Sequence, residues 1–116
     1  MIKVGGLLAR QIDSLAYKKV KNYEKDNLYR IITEGKNHLG RMLHYFPFDK
    51  KTGEDDWCGW HNDHGSLTAL TPAMLVDANG NEVPIKTTTG GLFAKNRFGD
   101  VTKIAIPQNM LAFQLG

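Results

Sequence analysis

The sequence predicts a mainly β fold with helices confined to its N-terminal part. Apolar residues recur at helical spacing only before Gly35. Beyond it, short β-branched and aromatic runs alternate with Gly, Asn and Asp turn residues. Many short strands separated by turns indicate a sandwich, jelly roll or barrel. The expected organisation is a helical segment over 1–35 packing on the outside of a β-rich segment over 36–116.

Each element follows from its own pattern. From Lys3 to about Tyr23, the residues Val4, Leu7, Leu8, Ile12, Leu15, Ala16 and Val20 fall three and four apart, which predicts one stripe on an amphipathic helix. Asp26 or Asn27 is placed to cap a second, shorter helix carrying Leu28, Ile31 and Ile32, and Gly35 to stop it. His38 to Phe46 reads as a strand closed by Pro47. A polar loop follows over Asp49 to Asp56, then strands over Trp57 to Asp63 and Ser66 to Leu70. Ala73 to Asp77 and Glu82 to Lys86 flank Asn79-Gly80, a hairpin signal. Gly91 to Lys95 and Val101 to Ile106 flank a second turn around Phe98-Gly99-Asp100, and Met110 to Leu115 closes the series. Met42, Leu67 and Phe113 are expected in the core.

Composition narrows the function classes. The longest apolar stretches are a few residues, far short of the roughly 20 that cross a bilayer, and the first residues lack the apolar core of a signal peptide. A single cysteine, Cys58, excludes an internal disulfide and fits a reducing compartment, so a cytoplasmic location is expected. The net charge of +3 is mild, and the cluster Lys18, Lys19, Lys21 and Lys25 reads as a solvated helix face. Neither a nucleic-acid partner nor a membrane is expected; the expected partner is a small-molecule substrate.

The chemistry is concentrated in Trp57-Cys58-Gly59-Trp60-His61-Asn62-Asp63-His64-Gly65. On a strand, residues i and i+2 share a face. His61 and Asp63 therefore project together, an imidazole beside a carboxylate. That pair fills two corners of a 2-His-1-carboxylate site, whose remaining positions stay open for cosubstrate and oxygen. His64 follows Asp63 directly and reads as a turn residue beside Gly65. Trp57 and Trp60 read as packing residues, with Trp57 sharing the parity of His61 and a place at a pocket mouth. A rival set, Cys58, His61 and His64, has zinc-ligand residue types. Structural zinc takes four ligands, commonly two thiolates, and only Cys58 is present.

The run His61-Asn62-Asp63-His64-Gly65-Ser66-Leu67-Thr68-Ala69-Leu70 resembles the His-x-Asp-His-Gly-x-Leu-Thr-x-Leu segment of the 2-oxoglutarate and Fe(II)-dependent oxygenases, isopenicillin N synthase-like branch. Arg41-Met42-Leu43-His44-Tyr45-Phe46-Pro47 is similar to the Arg-x-Leu-Asn-Tyr-Tyr-Pro strand of that branch, and Val101 to Gly116 looks like its later strands. The resemblance implies a double-stranded β-helix, or jelly roll, of which this chain supplies a part. It implies Fe(II) held by His61, Asp63 and a third ligand, a histidine on a later strand; no histidine occurs after His64. It further implies 2-oxoglutarate as cosubstrate, contacted at the positions of His44 and Phe46. These stand where relatives carry Asn and the second Tyr, and Phe46 has no hydroxyl to offer a carboxylate.

The expected function is accordingly an Fe(II)-dependent oxygenase acting on a small organic substrate, with this chain alone inactive. The alternative is a non-catalytic jelly-roll remnant that binds a ligand or partner. Self-association through open sheet edges is expected in either case.

Overall fold

A computed structural model describes residues 1–46, 58–85 and 90–116. The architecture is mixed helix and strand. Two helices, α1 (Ile2–Lys19) and α2 (Asn27–Glu34), precede β1 (Leu67–Leu70), β2 (Leu75–Val76), β3 (Glu82–Val83), β4 (Leu92–Lys95), β5 (Val101–Ile104) and β6 (Ala112–Leu115). Among the described residues, β1 pairs with β6, β2 with β3 and β4 with β5, each as a two-stranded sheet, and no closed barrel forms. The chain divides into two compact units, Met1–Thr68 with Leu115–Gly116, and Ala69–Gln114.

The helical hairpin forms as the periodicity predicts, but on a different face. The buried residues of α1 are Gly5, Ala9 and Asp13, four apart along one line of the helix, with Gly6 beside it. Val4 is 49% exposed, Leu7 68% and Leu15 59%, while Leu8, Ile12 and Ala16 are half-buried, so part of the expected apolar stripe is turned outward. Small residues line this face because side chains of α2 press against it. A Cβ on Gly6 would lie 2.9 Å from Thr33 Cγ2 and 3.6 Å from the Tyr29 ring. Arg10 closes over the Tyr29 ring at 4.0 Å. Lys18 and Lys19 in the last turn of α1 complement its dipole, and Val20 leaves the helix in an extended conformation.

The expected cap of α2 is also corrected. Asp26 holds the N-cap position at φ 56° and makes no side-chain cap hydrogen bond. Its work is done by Asp13 on the other helix. The Asp13 carboxylate accepts from Leu28 N–H at 3.0 Å, Tyr29 N–H at 2.8 Å and the Tyr23 hydroxyl at 2.6 Å. Two of the backbone donors that a helix start leaves without intrahelical partners are thereby satisfied across the hairpin. Burial pushes the Asp13 carboxyl up. The hydrogen bonds from Tyr23, Tyr29 and Leu28, with the Arg30 charge, outweigh that and hold it below the usual aspartate value. Gly35 ends α2 as expected, at φ −59°, and the carbonyl of Ile31 lies where a Cβ would stand.

Strand expectations fare unevenly. Residues 38–46 form no strand, and 58–63 form none either, although both were expected. A strand is defined by its place in a sheet ladder, and among the described residues neither segment joins one of the three sheets. Trp57, Asp49 to Asp56 and Lys86 lie outside the described residues. Met42 is 99% exposed rather than in a core, while Leu67 and Phe113 are half-buried.

Both β-hairpins form, with one shared turn. In each, the N–H of the first turn residue reaches the carbonyl four residues on, Asp77 to Asn81 at 2.9 Å and Asn96 to Asp100 at 3.0 Å. The N–H of the glycine returns to the first carbonyl at 3.0 Å in both, Gly80 to Asp77 and Gly99 to Asn96. Gly80 and Gly99 have φ 83° and 93°. This is the three-residue loop with a left-handed glycine. β2 and β3 pair antiparallel with Leu75 opposite Val83, and β4 and β5 with Phe93 opposite Lys103.

Candidate functional site

His61 and Asp63 come together as their spacing predicts, without a strand to hold them. His61 Nε2 lies 3.4 Å from Asp63 Oδ1, with the imidazole mostly exposed and the carboxylate half-buried. The other ring nitrogen is engaged from behind. Nδ1 is 2.8 Å from the Gly59 carbonyl oxygen and 3.6 Å from Cys58 Sγ.

A cation between the two donors has a definite fit. With metal–donor distances of about 2.0–2.2 Å, a bite of 3.4 Å subtends roughly 100–115° at the ion. An octahedral corner needs a bite of roughly 3.0 Å at such distances, so the side chains would close by about 0.4 Å. Rotation of an exposed imidazole supplies that much movement. If the ring is protonated, the same two atoms form an ion pair instead.

The rest of the motif separates from this pair. His64 is exposed, as is Trp60, whose place is on the surface and not in a core. Among the described residues, no group of three or more His, Cys, Asp or Glu side chains converges on a common metal position. Of the rival zinc set, Cys58 Sγ lies 3.6 Å from Nδ1 of His61, while the carboxylate of Asp63 lies beside Nε2. The close approach of Gly116 was not legible in the sequence. A Cβ on it would meet the carbonyl oxygens of Gly65 and Asp63, so only the smallest residue fits beside the motif.

His44 and Phe46, the expected cosubstrate positions, face the same way. Their rings stack at 4.4 Å between centroids and 19° between planes. Both are exposed. The pair offers a flat surface and, on His44 alone, a hydrogen-bonding ring. No helix among the described residues is long and apolar enough to cross a membrane. No family model, no curated protein and no solved structure matches the chain.

Proposed function

We propose that the chain carries two of the three protein ligands of a non-haem Fe(II) oxygenase of the 2-oxoglutarate-dependent type, within part of a double-stranded β-helix. The observation that carries the reading is the convergence of His61 Nε2 and Asp63 Oδ1 at 3.4 Å. They lie in a segment whose residues 61–70 resemble the iron-binding segment of those oxygenases. An imidazole nitrogen and a carboxylate oxygen are the donor set that suits Fe(II) with open positions. Pairing of β1, which follows the motif, with the sequence-distant β6 is the kind of non-local contact that a jelly roll is built from.

When bound, the iron would supply the oxygen chemistry, and the cosubstrate its electrons. The chain's own residues have narrower tasks. Asp63 brings the negative charge that a divalent cation requires, and His61 brings a neutral donor. Of the stacked pair, only His44 can donate to a carboxylate of 2-oxoglutarate; Phe46 provides an apolar face. The substrate is a small organic molecule.

Calorimetry with Fe(II) under anaerobic conditions, or with Mn(II), tests the assignment. Two protein ligands leave most of the coordination sphere to water, so binding is expected to be weak and to vanish in Asp63→Ala. Equal binding by that variant overturns the site. Consumption of 2-oxoglutarate by the purified chain should be negligible. Turnover dependent on His61 would mean that a further ligand completes the site, with His38 and His44 the candidates.

A further inference from the structure

We infer that the Gly59 carbonyl is a positioning group for His61: it holds the neutral imidazole in the Nδ1–H tautomer and so leaves the Nε2 lone pair directed at the space shared with Asp63. The inference rests on the metal-site reading, to which it adds a residue. Nδ1 and the Gly59 oxygen are 2.8 Å apart, a normal hydrogen-bond length for an N–H donor and a carbonyl acceptor. With the proton on Nε2 instead, two lone-pair acceptors would face each other at that distance. The compensating bond from Nε2–H to Asp63 would span 3.4 Å, longer than a good hydrogen bond of about 2.7–3.2 Å. A thiol proton from Cys58 at 3.6 Å is a weak donor and does not reverse the balance. Nδ1 therefore carries a hydrogen, and Nε2 is the nitrogen available to a cation.

This arrangement has a functional logic. Metal-ligating histidines commonly donate their second ring N–H to a carbonyl or carboxylate, which fixes the ring and raises the basicity of the ligating nitrogen. Here the acceptor lies two residues before the ligand. The backbone of the Cys58-Gly59-Trp60 bend thus orients the ring before any metal arrives. Asp63 then faces a bare nitrogen, an arrangement that favours a cation between them.

Nitrogen-15 NMR of the metal-free, labelled protein reads the tautomer directly, at a pH near 8 where imidazole is neutral. The expected result is a protonated-type Nδ1 and an unprotonated-type Nε2 for His61, opposite to the tautomer that free histidine favours in water. The same pattern should persist in Asp63→Ala, because the Gly59 contact does not involve the carboxylate. An Nε2–H tautomer at His61 in the wild-type protein overturns the inference. So does a tautomer that reverts in Asp63→Ala, since Asp63 would then be setting it. Titration with Zn(II), a diamagnetic stand-in, should move the Nε2 resonance of His61. An Nδ1–H tautomer with no zinc response upholds the Gly59 contact and counts against the metal reading instead.

Discussion

The helical hairpin and the two β-hairpins are all fastened by one side chain that accepts backbone N–H groups, but they differ in where that acceptor comes from. Asp13 reaches Leu28 and Tyr29 from 15 and 16 residues away, and is 2% exposed. Asp77 reaches Asn79 and Asn81, and Asn96 reaches Phe98 and Asp100, from two and four residues away at the surface. The first device joins two elements, and its failure separates them. The second shapes a single turn, and water can replace it. The same chemistry should therefore carry different energetic weight in the two regions.

Removing Asp13 should produce the largest effect. Asp13→Ala leaves the N–H groups of Leu28 and Tyr29 at a buried helix start without an acceptor, and the Tyr23 hydroxyl without its partner. Each of the two donors left without an acceptor costs about 1–3 kcal/mol, so a loss of at least about 2 kcal/mol is expected. Urea denaturation followed by far-UV circular dichroism measures it; an unchanged midpoint would show that the hairpin does not depend on this contact. Acid should act the same way. The folded Asp13 carboxyl lies below its ordinary value of 3.8. Its contribution is whole above that value and is lost as pH falls through the lower, folded one. Tyr23 mirrors this at the alkaline end. Its hydroxyl is raised above 10.0, first by donating to Asp13 and then by burial, so its share is present below pH 10 and lost as pH rises past the folded value.

The turn glycines come next. Gly80→Ala and Gly99→Ala place a Cβ where φ is 83° and 93°, with no neighbour within 4 Å in either case. The cost is thus purely conformational, about 1 kcal/mol or somewhat more at each hairpin. Gly80→Asn should cost less, because Asn tolerates the left-handed region. Loss of the cross-strand contacts between Leu75 and Val83 in NMR spectra would report it. Equal effects of Ala and Asn would point to a steric cause outside the turn.

The same contrast separates what could be read from the sequence. The turns were legible because their determinants are contiguous, a Gly with Asn or Asp beside it. The helices were legible as helices. Their contact face was not, because apolar periodicity looks for large residues and the buried line of α1 includes Gly5, Gly6 and Ala9. Nothing local marks Asp13 as a cap for a helix that starts 14 positions later at Asn27. Residues 38–46 looked like a strand because alternation describes a face, while a strand also requires a neighbour. His61 and Asp63 were legible from their i and i+2 spacing, whereas the Gly59 carbonyl is a backbone atom that no side-chain pattern announces.

The smallest effect is the sharpest internal test, because the two turns share a backbone and differ in the acceptor. In one the acceptor is the Asp77 carboxylate. It takes the N–H of Asn79 at 2.8 Å and of Asn81 at 2.9 Å, and the Asn81 side-chain amide at 3.2 Å. Hydrogen bonds from Asn81, backbone first and then side chain, hold Asp77 below the usual aspartate value despite some burial, with Asn79 and Gly80 adding to the effect. In the other turn the acceptor is the Asn96 amide, which receives Phe98 N–H at 2.8 Å and does not titrate. A depressed carboxylate contributes above its ordinary value of 3.8 and loses its hold as pH falls through the folded one. The amide proton shifts of Asn79 and Asn81 should therefore titrate with a midpoint below 3.8 and move more than that of Phe98, whose acceptor meets a carboxylate only through its own amide, which donates to Asp100 at 2.8 Å. Asp77→Asn gives the first turn the acceptor of the second and should abolish its titration while leaving the hairpin formed. A Phe98 response equal to that of Asn79 would mean that acid loosens the whole strand region together, and that the turns are not independent.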